Sequence, residues 1–207
     1  MKENHMTNKI NDFKLTDEDI IQAKSKYFFE LETAFNTIKN EQYVEFIKNL
    51  NEKRERKKNV YVAGNGGSYS NADHIVCDIG KNIGHIKKDF AGFKSYLLGN
   101  GVSTMTAVSN DFGYEQLFST NLELLGTSGD ALICLSVSGQ SPNIIAALKK
   151  ANDLGITSFG IYGFNGGDSS KLTDFSINVN SSNFGVVEDI QMMVFHNIVN
   201  LYATKLA

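Results

Sequence analysis

From Asn59 onward the chain alternates short β-rich runs with segments of helical length, and that rhythm admits few folds. The runs are residues 60–63, 94–98, 131–136, 158–162 and 175–179, and residues 68–83, 142–154 and 186–207 between or after them carry helical patterning. Strands separated by helices pair in parallel, and right-handed crossovers place the helices on both faces of the sheet. The expected fold is therefore α/β, a doubly wound, mainly parallel five-stranded sheet.

Ahead of this core (residues 58–207), residues 1–57 read as a helical N-terminal extension of the same single domain. Thr16-Asp17-Glu18-Asp19 is a helix start, followed at helical spacing by Ile20, Ile21, Tyr27, Phe28 and Leu31. A second helix, residues 42–57, aligns Tyr43, Phe46, Ile47 and Leu50 on one face. It runs into Lys53-Arg54-Glu55-Arg56-Lys57-Lys58, which reads as a solvated helix end rather than a nucleic-acid contact. Residues 1–14 are polar and expected to fray.

A net charge of −3 gives no general attraction to nucleic acid or to anionic membranes, so any anion chemistry must be local. No apolar run approaches the ~20 residues of a membrane span. The start MKENHMTNKINDFK lacks the hydrophobic region of a signal peptide, and the expectation is a cytoplasmic protein. Cys77 and Cys134, in a helix and a strand candidate with no CxxC spacing, read as buried reduced thiols.

Two loops carry the functional signal. Gly64-Asn65-Gly66-Gly67-Ser68 follows the first β-rich run, and Ser136-Val137-Ser138-Gly139-Gln140-Ser141 follows the third. Each stands where a buried strand hands over to a helix, so backbone N–H groups, hydroxyls and a helix N-terminus can converge on one anion. A tight turn alone would explain the first loop; the serines of the second exceed what a turn requires. The first loop lacks the third glycine of G-x-G-x-x-G, and no Gly-Lys-Ser/Thr follows either loop, so no nucleotide cofactor is expected.

The helix after the first loop carries His74 and Asp78 at i and i+4, on one face. Such a pair is often structural, but here it lies about two turns beyond the candidate anion loop. In the last helical segment Glu188, Gln191 and His196 interrupt a run of apolar residues, and polar groups in such surroundings need partners.

GNGGS, ADHIVCDIGK, Ser109-Asn110-Asp111-Phe112-Gly113-Tyr114, SVSGQSPN and VEDIQMMVFH, in this order, resemble the sugar isomerase (SIS) domain. More narrowly they resemble its phosphoheptose isomerase branch, which converts sedoheptulose 7-phosphate to D-glycero-D-manno-heptose 7-phosphate. The resemblance implies phosphate binding by Ser68, Ser136, Ser138 and Ser141 with Gly66 and Gly67, substrate-binding or site-organising roles for Asn65 and Asp111, and substrate binding by Gln191. It implies Asp78 as catalytic base and His196 as acid, through an enediol. Some members bind zinc, which here would fall to His74, Asp78, Glu188 and His196. The resemblance also implies a homotetramer and a place in heptose biosynthesis for a bacterial surface glycan.

The chain departs from the family pattern at several points. Asp78 replaces the usual Glu, Val137 replaces a threonine, and the basic residue after the first core helix falls at Lys81 or is lost at Asn82. The last helix admits two registers: direct alignment of Phe184-Gly185 and Gln191 puts Val199 at the histidine position, while a shift of three residues puts His196 there and Glu188 at the ligand glutamine. The shifted register is preferred, although Glu188 and His196 then stand ~12 Å apart along a regular helix, too far to share one ion without distortion or a neighbouring subunit. The alternative to an enzyme is a non-catalytic SIS domain that binds a sugar phosphate or a protein. His74, Asp78 and His196 favour the enzyme, since a binding module needs no acid–base groups. A DNA-binding regulator fits less well, because the N-terminal third is short and acidic at its start.

Overall fold

The computed structural model describes residues 14–207, so the expected frayed start lies outside the described residues except for Lys14. Helix α1, Asp17–Asn36, begins with a capping box. The Thr16 hydroxyl accepts from the Asp19 amide at 3.1 Å, and the Asp19 carboxylate accepts from the Thr16 amide at 2.9 Å. Helix α2 follows at Asn40–Glu55 and buries Phe46 and Leu50.

Five strands, β1 (Asn59–Gly64), β2 (Lys94–Leu97), β3 (Ala131–Ser136), β4 (Thr157–Tyr162) and β5 (Phe175–Asn178), form one sheet in the order β2-β1-β3-β4-β5. Every pairing is parallel. Alternation along β1 divides the core: Val60 and Val62 enter a cluster with Phe46, Ile75, Ile79, Ile190 and Phe195, whereas Tyr61 and Ala63 enter another with Leu117, Leu122, Ile144 and Leu148. The sheet is thus covered on both faces, as a doubly wound fold requires.

The helices complete that cover. They are α3 (Gly67–Cys77), α4 (Val102–Phe112), α5 (Leu117–Leu125), α6 (Pro142–Leu154), the short α7 (Gly167–Lys171) and α8 (Phe184–Leu206). Helices α4 and α5 are not evident from the sequence. The first has Ser, Thr and Val at its start and no side-chain cap, so tertiary burial of Val108 and Met105 rather than propensity holds it. Among the described residues, no helix is long and apolar enough to cross a membrane.

Candidate active site at the sheet switch point

The order β2-β1-β3 makes the chain leave β1 toward one edge and β3 toward the other, so the loops after β1 and β3 open side by side. Gly64 at the end of β1 pairs with Leu135 at the end of β3. Ligands in open α/β sheets settle at such a crevice. Here it is a cleft of about 240 Å³ lined by Asn65, Gly66, Gly67, Ser68, Ser136, Val137, Ser138, Ser141, Phe184 and Glu188. A wider cleft of about 630 Å³, between Glu30 of α1 and the turn at Asn183, contains no such pair of loops.

Both helices that start in the cleft lack a side-chain cap; Pro142 has no N–H and the Tyr69 and Ile144 amides turn back to Gly66 and Ser141, which leaves the Gly67, Ser68 and Asn143 amides for an anion. Gly66, the N-cap of α3, sits at φ +55°, a conformation that a residue with a Cβ resists. In the second loop the Ser136 hydroxyl accepts from the Gly139 amide at 3.2 Å and lies 3.3 Å from the Ser141 hydroxyl. The two loops are also tied to each other. Asn65 and Asn143 exchange amide hydrogen bonds at 2.8 and 2.9 Å, and the Tyr114 hydroxyl donates to the same Asn65 oxygen at 2.8 Å. Asn65 therefore keeps one N–H free for the cleft, while its oxygen is fully engaged.

About two turns down α3, a second group of residues gathers. One Asp78 carboxylate oxygen stands 3.3 Å from His74 Nε2 and 3.4 Å from His196 Nε2. The imidazoles, 5.4 Å apart between ring centres, are half-exposed, with side chains 55% and 52% accessible against 7% for Asp78. Ligand atoms from these three residues lie within 4.8 Å of one another. Two imidazole nitrogens and a carboxylate oxygen suit a zinc ion with one position left open, so this donor set fits the metal.

Three expected site residues lie outside the histidine–carboxylate group. Glu188 does not join the histidines; along the regular helix α8 it lies more than two turns before His196 and lines the loop cleft instead. Gln191 is fully buried, accepts from Asn71 at 3.1 Å and donates to the Ile161 carbonyl, so it ties α8 to α3 and β4. Asp111 is exposed near the end of α4, where it accepts from Asn110. Val199, the other register's candidate, packs against the core. Sequence reasoning passed over Tyr114 and Asn143, although both lie in quoted motifs; their only signal was polar residues beside a loop.

The SIS domain family model matches residues 27–163. A phosphoheptose isomerase from Bradyrhizobium sp. is 36% identical over 68% of this chain and 70% of its own length. One from Helicobacter pylori is 33% identical over 71% of this chain and 75% of its own. This chain belongs to the phosphoheptose isomerase family of SIS-domain proteins. The fold agrees: the structure of a phosphoheptose isomerase from Francisella tularensis superposes with a TM-score of 0.82 at 24% identity, covering 92% of this chain and all (100%) of the other. In this family member the acid that faces the two histidines is Asp78.

Proposed function

We propose that this chain is an aldose–ketose isomerase that converts sedoheptulose 7-phosphate to D-glycero-D-manno-heptose 7-phosphate, in heptose biosynthesis for a bacterial surface glycan. The observation that carries the reading is one carboxylate oxygen, at the C-terminal end of the helix whose N-terminus opens into the loop cleft, facing two accessible imidazoles. In this reading Ser68, Ser136, Ser138 and Ser141, with the free amides of α3 and α6, hold the phosphate. That remote binding energy aligns the other end of the sugar.

Asp78 takes the proton from C1 of the ketose while His196 delivers a proton to the C2 carbonyl oxygen, giving an enediol. Removal of the O1 proton and return of a proton to C2 then gives the aldose. The 3.4 Å between Asp78 and His196 lets the two groups exchange protons between these steps. His74, Asp78 and His196 are the residues that would hold zinc; the proton transfers above belong to Asp78 and His196 without the ion, since a ligating imidazole nitrogen has no proton to give. When bound, the ion would polarise the oxygens of the reacting carbons.

The same reading makes the protein cytoplasmic, where sugar phosphates are made, and homotetrameric. Ile20, Ile21, Phe28 and Phe29 on α1 are exposed and apolar, which supports self-association. Light scattering after size exclusion measures the oligomer directly. The test of activity is NMR of the purified protein with sedoheptulose 7-phosphate in D₂O, with and without chelator. The expected product is the aldose carrying deuterium at C2. No turnover in either condition would overturn the enzyme in favour of a binding module, and loss only with chelator would establish the metal.

A further inference from the structure

The second oxygen of Asp78 is also engaged. Asn82 Nδ2 donates to Asp78 Oδ1 at 2.7 Å, leaving Oδ2 as the oxygen that faces both histidines. Asp78 and Asn82 stand four residues apart, on one face of the helical turn that continues α3. Residues Asp78–Asn82 form a π-helical turn, closed by the Ile83 amide on the Asp78 carbonyl. The cause lies in the neighbouring strand: the Ser95 hydroxyl of β2 donates to the Val76 carbonyl at 2.8 Å. That is the acceptor Gly80 would use in an α-helix, and a Cβ at Gly80 would meet the same Ser95 oxygen. A side chain inserted into the helical ladder forces such a wide turn.

We propose that Asn82 is a positioning residue for isomerisation: its amide fixes the rotation of the Asp78 carboxylate, so that one oxygen is presented to His74 and His196. Aspartate has one methylene fewer than glutamate, so its carboxylate cannot shift to recover a lost alignment. A neutral amide holds the group without the competing charge that a lysine or arginine would bring to the histidine pair. Asn82 is itself half-buried and acts through Asp78 rather than on the sugar.

This inference rests on Asp78 as a reacting group, and kinetics of Asn82→Ala and Asn82→Asp with sedoheptulose 7-phosphate separate the two ideas. Asn82→Ala is expected to lower kcat about tenfold, and Asn82→Asp more, with KM within about twofold and an unchanged melting temperature. Should the aspartate variant fail to fold, the alanine variant decides. A kcat within about twofold of wild type, or a rise in KM alone, overturns the positioning role. Absence of turnover in the wild-type protein instead overturns the isomerase reading.

Discussion

The Glu188 carboxylate crowds the space that a side chain at Gly67 would need: both of its oxygens lie within 2.5 Å of where a Cβ would fall. The glycine thus admits a carboxylate from α8 to the mouth of a cleft built from amides and serines. A fixed negative charge there opposes anion binding. Its removal in Glu188→Gln is expected to tighten inorganic phosphate about fivefold, from roughly 1 kcal/mol of relieved repulsion across a partly solvated site. Calorimetric titration measures this, and unchanged or weaker binding would count against an anion in the cleft.

The Asp78 and His196 side chains offer the next test. His196→Ala and Asp78→Asn should each lower kcat by about 10²–10⁴, the usual worth of a general acid or base, with KM changed much less. A near-normal kcat in both would sink the assignment. His74→Ala addresses the metal separately: if zinc is held by the three residues, this variant should lose it by elemental analysis while keeping its fold by circular dichroism.

The cleft serines should behave oppositely. Ser68 is buried beside the first-turn amides of α3, and Ser141 stands at the start of α6. Ser68→Ala and Ser141→Ala should raise KM about tenfold each through the lost phosphate hydrogen bond, with a smaller fall in kcat. A substrate without its phosphate should be insensitive to both changes.

How far the sequence carried depended on whether a feature was local. The five strands and the first-turn Pro142 of α6 were legible because alternation and turn chemistry are written within a few residues. The convergence of the loops was legible too, since it follows from strand order at a parallel switch point. The placement of Glu188 was not, because motif alignment carries over a role and not a distance; the helical rise between Glu188 and His196 already argued against a shared ion. Gln191 appeared as a polar group in an apolar helix, and only tertiary structure shows its partners Asn71 and Ile161. The π-helical turn at Asp78 had no local sign, since the Ser95 hydroxyl that opens it comes from another strand.

The cysteines give a prediction independent of the site. Cys134 is buried in β3 as expected, and burial pushes its thiol far above the ordinary range, whereas Cys77, also expected to be buried, is exposed on α3. An aromatic disulfide reagent should therefore titrate one thiol in the native protein and both after denaturation. Rapid reaction of both in the native state would contradict the packing of β3.

Tyr27 on α1 donates to the Asp189 carboxylate on α8 at 2.6 Å, and it pins the N-terminal extension to the helix that carries His196. Burial first, then the hydrogen bond to Asp189, pushes the phenol up to about 12. A folded-state value above the unfolded value of ~10 means that the contact is fully present below pH ~10 and is lost as pH rises through the folded value. Tyr27→Phe should cost about 1 kcal/mol or less near neutrality, for one partly exposed hydrogen bond. Between pH 10 and 12 the wild-type advantage over Tyr27→Phe should shrink, because the variant has no phenol to ionise. Urea melts of both proteins across this range measure the difference, and a gap that stays constant with pH would show that the Tyr27–Asp189 contact does not secure α1 in solution.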